Sequence, residues 1–132
     1  MSTRAEDARR REEMAAAALR NESASAQLLV DDFIRRATDL GLVPEPLRAV
    51  LIDGTRVKSD RIGWYINKAK TLAVGPDGSF FQMLTVGGRL ARFTGVKVAP
   101  SPPPLVVGRG GRDGETGDLK DFLARALADY TP

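Results

Sequence analysis

The chain carries two hydrophobic rhythms. Ala26, Val30, Phe33, Ala37 and Leu40 recur at 4-3-4-3 spacing, with Leu29 and Ile34 beside them, which is the seam of an amphipathic helix or a coiled coil. No glycine or proline occurs before Gly41, and nine alanines lie in that stretch. Acids precede bases by four residues at Glu6/Arg10, Asp7/Arg11, Asp31/Arg35 and Asp32/Arg36, the favourable order on a helix. These features predict a helical segment over residues 1–41, stopped by Gly41 with Pro44 close behind. As one helix it would be about 54 Å long, against a body about 30 Å across. It must therefore either project or break, and Asn21, Ser23 and Ser25 offer N-caps for a break at 21–25. Upstream, alanine favours helix but buries little surface, so residues 1–20 are expected to be mobile or ordered by a neighbour.

From residue 47 the period shortens to two. Arg48–Ile52 and Thr55–Lys58 flank Asp53-Gly54 and predict a hairpin with a two-residue turn. Ile62–Ile66 reads as a strand and carries Trp64. Thr71–Val74 and Ser79–Val86 flank Gly75-Pro76-Asp77-Gly78, a strong turn signal, because proline presets φ and glycine accepts positive φ. Gly87-Gly88 then leads to Leu90–Val98, expected as a strand with a bulge at Gly95. Tight turns at short intervals indicate an antiparallel sheet of about four to six strands. Residues 99–117 read as a Pro/Gly-rich linker, opening with a polyproline stretch. Leu119, Phe122, Leu123, Ala126, Leu127 and Tyr130 define a C-terminal amphipathic helix over 118–130. The expected fold class is α+β: an N-terminal helical segment, then residues 42–132 as an antiparallel sheet, the linker and a covering helix.

Composition narrows the chemistry. The chain has 132 residues, 42% apolar and 28% charged, with no cysteine and no histidine. Disulfides, Cys/His zinc sites and imidazole-based triads are thereby excluded. No run approaches the roughly 20 apolar residues of a membrane span, and Met14–Leu19 is too short and alanine-rich for a signal peptide. A cytoplasmic protein without membrane association is expected. Asp53, Asp60 and Asp77 fall at expected turns, where aspartate bonds locally. Lys68 and Lys70 lie near Tyr65, but nothing in the sequence orients them toward catalysis. We assign no catalytic residue, metal ligand or cofactor.

Charge is uneven. Residues 41–98 hold 9 basic and 4 acidic groups, whereas the flanking segments hold 7 and 8, then 4 and 5. Lys58, Arg61, Lys68 and Lys70 surround Trp64 and Tyr65, with Arg89 and Arg92 beyond. Cations interleaved with rings suit single-stranded nucleic acid, although the same pattern describes a solvated basic face over core aromatics. Arg109 and Arg112 lie in the Gly-rich stretch 108–117 ahead of the last helix. That stretch suits an anion through backbone N–H groups and helix dipole, but Asp113, Glu115 and Asp118 oppose one, and neither phosphate-loop fingerprint is met.

The segment Pro102–Leu123 (PPPLVVGRGGRDGETGDLKDFL) resembles small actinobacterial proteins without assigned activity, and implies no fold, site or ligand. Three functions follow as expectations. The leading one is a non-catalytic interaction or structural protein that self-associates, or docks another protein, through Leu29, Val30, Phe33, Ala37 and Leu40. The others are a nucleic-acid-binding module on the basic aromatic face and a ligand or anion site, or enzyme, at 108–117.

Overall fold

The computed structural model describes residues 3–88, 90–107 and 116–130. The fold is α+β: a long N-terminal helix, a five-stranded, mostly antiparallel sheet and a C-terminal helix.

Helix α1 runs unbroken over Arg4–Asp39. Thr3 caps it, its hydroxyl accepting the Glu6 N–H at 3.1 Å, and Glu6 and Asp7 complement the dipole in the first turn. At the other end Gly41 takes φ +76°, and N–H groups of Gly41 and Leu42 bond back to Thr38 and Ala37 in a Schellman closure. The break expected at Asn21–Ser25 does not occur. Polar side chains compensate lost backbone bonds only where the chain leaves the helix, and without glycine or proline nothing forces it to leave. Glu22 instead accepts the Leu105 N–H at 3.3 Å, tying the middle of the helix to the linker.

Strands β1 (Glu45–Leu51) and β2 (Arg56–Tyr65) form the first hairpin. Its turn is one residue longer than expected: Leu51 pairs with Thr55, and Gly54, at φ +89°, closes a three-residue loop. Strand β2 joins two segments that read separately in sequence. The register steps from Pro46↔Ile62 to Arg48↔Lys58, so β2 bulges over Ser59–Arg61 and bends. Asp60 sits in this bulge rather than at a turn, and accepts the Val98 N–H at 2.9 Å.

Beyond the bend β2 pairs with β3 (Leu72–Val74), and β3 with β4 (Phe80–Gln82). Gly63 is required where β2 meets β3, since a Cβ there would lie 2.0 Å from the Val74 carbonyl oxygen. The expected single strand 79–86 is two. After β4 the chain switches at Met83, whose N–H bonds to Thr71 while its carbonyl accepts from Val50, and β5 (Leu84–Thr85) runs parallel to β1. The strand order is β4-β3-β2-β1-β5, and β4 and β5 are separated only by Met83, so the sheet curls back on itself. The expected strand 90–98 is also replaced. Ala91–Thr94 forms a short helix, α2, and Gly95, at φ +76°, ends it instead of making a bulge.

Curling gives the sheet two buried faces, and alternate residues divide between them. Leu47, Ala49, Val57, Ala73, Phe81, Met83 and Val98 fill the inside. Trp64, Ile66, Leu72, Val74 and Phe80 point outward against Ala26, Val30, Phe33 and Ala37 of α1 and Leu119, Phe122, Leu123 and Ala126 of the C-terminal helix α3 (Leu119–Tyr130). Phe33 meets the Trp64 ring edge-on at 6.1 Å. The linker runs along this assembly: Ser101 bridges to Phe80, Pro103 is buried, and β6 (Val106–Val107) pairs with β7 (Gly117–Asp118).

Candidate interaction surfaces

Three surfaces stand out. The first is α1. Its helix face toward the body holds Ala26, Val30, Phe33 and Ala37, all buried, and no described residue before Ala26 is buried. Arg4–Ser25 thus forms an arm of about 33 Å. Three of the expected contact residues, Val30, Phe33 and Ala37, are consumed by the chain's own core, because the seam that could have joined two helices meets Trp64 and α3 first. Leu29 is half-buried against the same core, while Leu40 is 52% exposed. Leu29 and Leu40 line a groove of about 710 Å³ between α1 and α3, completed by Leu123 and Leu127 and rimmed by Asp32, Arg36 and Lys120. On the side of α1 facing away from the body, Met14 and Leu28 are 67% and 71% exposed.

The second surface is a cleft of about 510 Å³ between α3 and the β2–β3 loop. Asn67 builds that loop. Its side-chain oxygen accepts the N–H groups of Thr71 and Leu72, each at 3.0 Å, and its amide donates to the Thr71 hydroxyl at 2.7 Å. Lys70 adopts φ +58° to complete the turn. Lys68 and Lys70 are thereby brought to the cleft with Tyr65, and Lys70 Nζ lies 5.5 Å from the Tyr65 ring centre. Arg125, Glu45 and Asp129 add charge from the other walls. The Tyr130 hydroxyl accepts the Tyr65 N–H at 3.1 Å, pinning α3 to β2, and burial raises its pKa above the usual phenol value, with Glu45 adding to the shift. Asn67, Arg125 and Tyr130 were missed in sequence because they are distant from the lysines or unremarkable in type. The i, i+3, i+4 pattern marked Tyr130 only as a core position.

The basic aromatic face expected from sequence is divided. Lys58 and Tyr65 lie seven residues apart on β2, on either side of its bulge at Ser59–Arg61. Arg61 turns to the other side, where its Nε–H bonds to the Val98 carbonyl at 2.6 Å and its guanidinium covers Phe81. Trp64 is not available for stacking on a base: it is core, its indole N–H buried without a hydrogen-bond partner among the described residues. Arg109 and Arg112, Arg89, and residues 108–115 of the Gly-rich stretch lie outside the described residues.

The third surface was not anticipated. The Leu51↔Thr85 pairing sets Ile52 beside Val86, and these residues, with Leu90 at the start of α2 and Phe93 within it, are mostly exposed; Phe93 reaches 83%. Contiguous exposed apolar patches on a protein surface mark contact sites when they are large.

Among the described residues no group of three or more Asp, Glu, His or Cys is placed to hold a metal ion, and no helix is long and apolar enough to cross a membrane. Compared with known protein families, curated proteins and solved structures, the chain finds no match. Function is therefore argued from geometry.

Proposed function

We propose that this is a non-catalytic interaction protein of the cytoplasm that self-associates through α1, with the curled sheet and α3 as the mount that holds the helix. One observation carries this reading: Arg4–Ser25 is continuous helix without a buried residue. Starting the first turn of an isolated helix is unfavourable in water. Here the packed half, Ala26–Ala37, supplies the start, and alanine extends the helix into solvent. A body needs no such arm for its own stability, which favours a role in contact. Light scattering over a tenfold concentration range tests the proposal. The full chain is expected above its 14.3 kDa monomer mass, rising with concentration. A chain lacking residues 1–20 is expected at monomer mass, with the unfolding midpoint that the full chain shows when diluted below association. A full chain that stays monomeric throughout overturns the proposal.

The cleft supports a second reading, as a site for an acidic ligand such as a nucleotide or the end of a nucleic-acid strand. Three cations face two carboxylates there, beside a half-buried ring. Titration of a nucleotide panel tests it: binding should weaken with salt and fall in a Lys68→Ala, Lys70→Ala variant. No heat and no shift with any nucleotide at low salt would remove this reading.

A further inference from the structure

The outward face of α1 is nearly self-complementary when reversed, and from this we infer an antiparallel dimer centred on Asn21. The inference rests on the self-association proposed above and specifies its register. At 100° per residue, Glu6, Asp7, Arg10, Met14, Ala17, Asn21, Ser25, Leu28, Asp32, Arg35 and Arg36 fall within about 60° of one line along the helix. The core residues Ala26, Val30, Phe33 and Ala37 lie on the opposite side, so this line faces away from the body along the arm, and beyond it Asp32 and Arg36 border the groove beside α3 while Asp31 accepts from Gln27 next to Gly78.

Turning a second copy about a twofold axis through Asn21 sets residue i against residue 42 minus i. The acidic doublet Glu6-Asp7 then lies beside Arg35-Arg36 of the second copy, and the basic doublet Arg10-Arg11 beside Asp31-Asp32. Symmetry repeats both contacts. Met14 meets Leu28 of the second copy, so the two exposed apolar residues of this line cover one another. Between them lie Ala17, Ala18, Asn21, Ala24 and Ser25, small enough for the helix axes to approach to about 8 Å. No residue of the helix falls opposite one of like charge. A parallel pair in register would set every doublet against itself. The bodies, each at the Ala26–Asp39 end and on the far side of its own helix, sit at opposite ends of the pair and do not compete for space. Asp32 already binds Arg35 and Arg36 within its own helix, so the second copy's Arg10-Arg11 would extend an existing ion-pair network.

The test uses two full-length variants. One carries Arg10→Asp and Arg11→Asp; the other carries Asp31→Arg and Asp32→Arg. Alone, each opposes like doublets twice, and its self-association should weaken at least about tenfold. Mixed in equal amounts, they restore both contacts in a heterodimer. The expected result is a dimer for the unaltered chain and for the mixture, and monomers for each variant alone, with the helical circular dichroism retained. If either variant alone associates as strongly as the unaltered chain, this register is overturned while self-association stands. If the mixture remains monomeric, the register is overturned as well. A monomeric unaltered chain removes both this inference and the reading beneath it. Should the charge variants fail to fold, the absence of cysteine offers a second route through Met14→Cys and Leu28→Cys. A short thiol cross-linker should join the two when mixed and neither alone, because residue 14 lies about 21 Å from its own counterpart in this register. Cross-linking of either variant to itself would contradict it.

Discussion

The two halves of α1 have the same secondary structure for different reasons. Between Ala26 and Ala37 one face is closed against Trp64 and α3, and helix is enforced by packing. Between Arg4 and Ser25 nothing is fully buried, and helix rests on alanine, on acids placed four residues ahead of bases and on a capped start. The first half is specified by what it touches, the second by what it lacks, namely glycine and proline. A helix can thus be built outward from a core as a rod, and the face it carries into solvent is free to be shaped by something other than folding.

Truncation should separate the halves most sharply. Phe33→Ala removes the ring packed on Trp64 and is expected to cost about 3–5 kcal/mol in denaturant unfolding. Leu28→Ala, one turn away on the exposed side, should change the stability of the monomer, measured in dilute solution below association, by less than about 0.5 kcal/mol. Equal costs at the two positions in dilute solution would mean that the outward face is buried within the monomer itself.

Next in size is Gly63→Ala, which tests whether the body is as tightly built as the packed half of α1 requires. The added methyl would overlap the Val74 carbonyl, so β2 and β3 must part, and a loss of about 1–3 kcal/mol or more is expected. Retention of full stability would show that the sheet closes differently at this point.

Glycine scanning of the helix comes third. Ala26→Gly and Ala15→Gly each forfeit about 1 kcal/mol of helix propensity. In the packed half the loss should appear in the global unfolding midpoint. In the arm, in dilute solution below association, it should appear as lost helical signal and faster amide exchange with the midpoint unmoved. A midpoint that moves equally in both would join the arm to the body's folding unit.

The smallest effect concerns pH. Asp60 accepts the Val98 N–H, and this bond holds its carboxyl below the usual value of 3.8, against a smaller opposing effect of burial. A carboxyl with a lowered native pKa stabilises the fold above its unfolded value, and that contribution is lost as pH falls through 3.8 and then through the native value. Acidification should therefore loosen the Val96–Val98 segment and leave the arm in place. Asp60→Asn should flatten part of the pH dependence, read from unfolding midpoints between neutral pH and about pH 3. An unchanged profile would mean that the Val98 bond contributes nothing to stability.

Much of this was legible in the chain. The helix seam at Ala26, Val30, Phe33 and Ala37 marks the buried face, and the 3-4 spacing from Leu119 to Tyr130 marks the other helix against it. The turns at Asp53-Gly54 and Pro76-Asp77-Gly78 stand where their residue types demand. Each depends on neighbours a few positions away, and local sterics and local hydrogen bonds fix such features. The cleft was only half visible: the lysines beside Tyr65 could be seen, but not Arg125 and Tyr130, which reach them through the packing of α3.

By itself, then, the sequence determined the α+β class, the long breaker-free helix, the main turns and the division of α1 into a core-forming and an alanine-rich half. The outward charge pattern on α1 is also written there, because a helix converts spacing directly into direction. Only the tertiary structure decided that the helix runs through Asn21–Ser25, that Val30 and Phe33 face their own sheet, and that Trp64 is core. It also decided that β2 bends at Ser59–Arg61 and that Met83 passes the chain from one sheet edge to the other. The physical reason is the same in each case. Those outcomes depend on which distant surfaces meet, and a residue's neighbours along the chain carry almost no record of its neighbours in space.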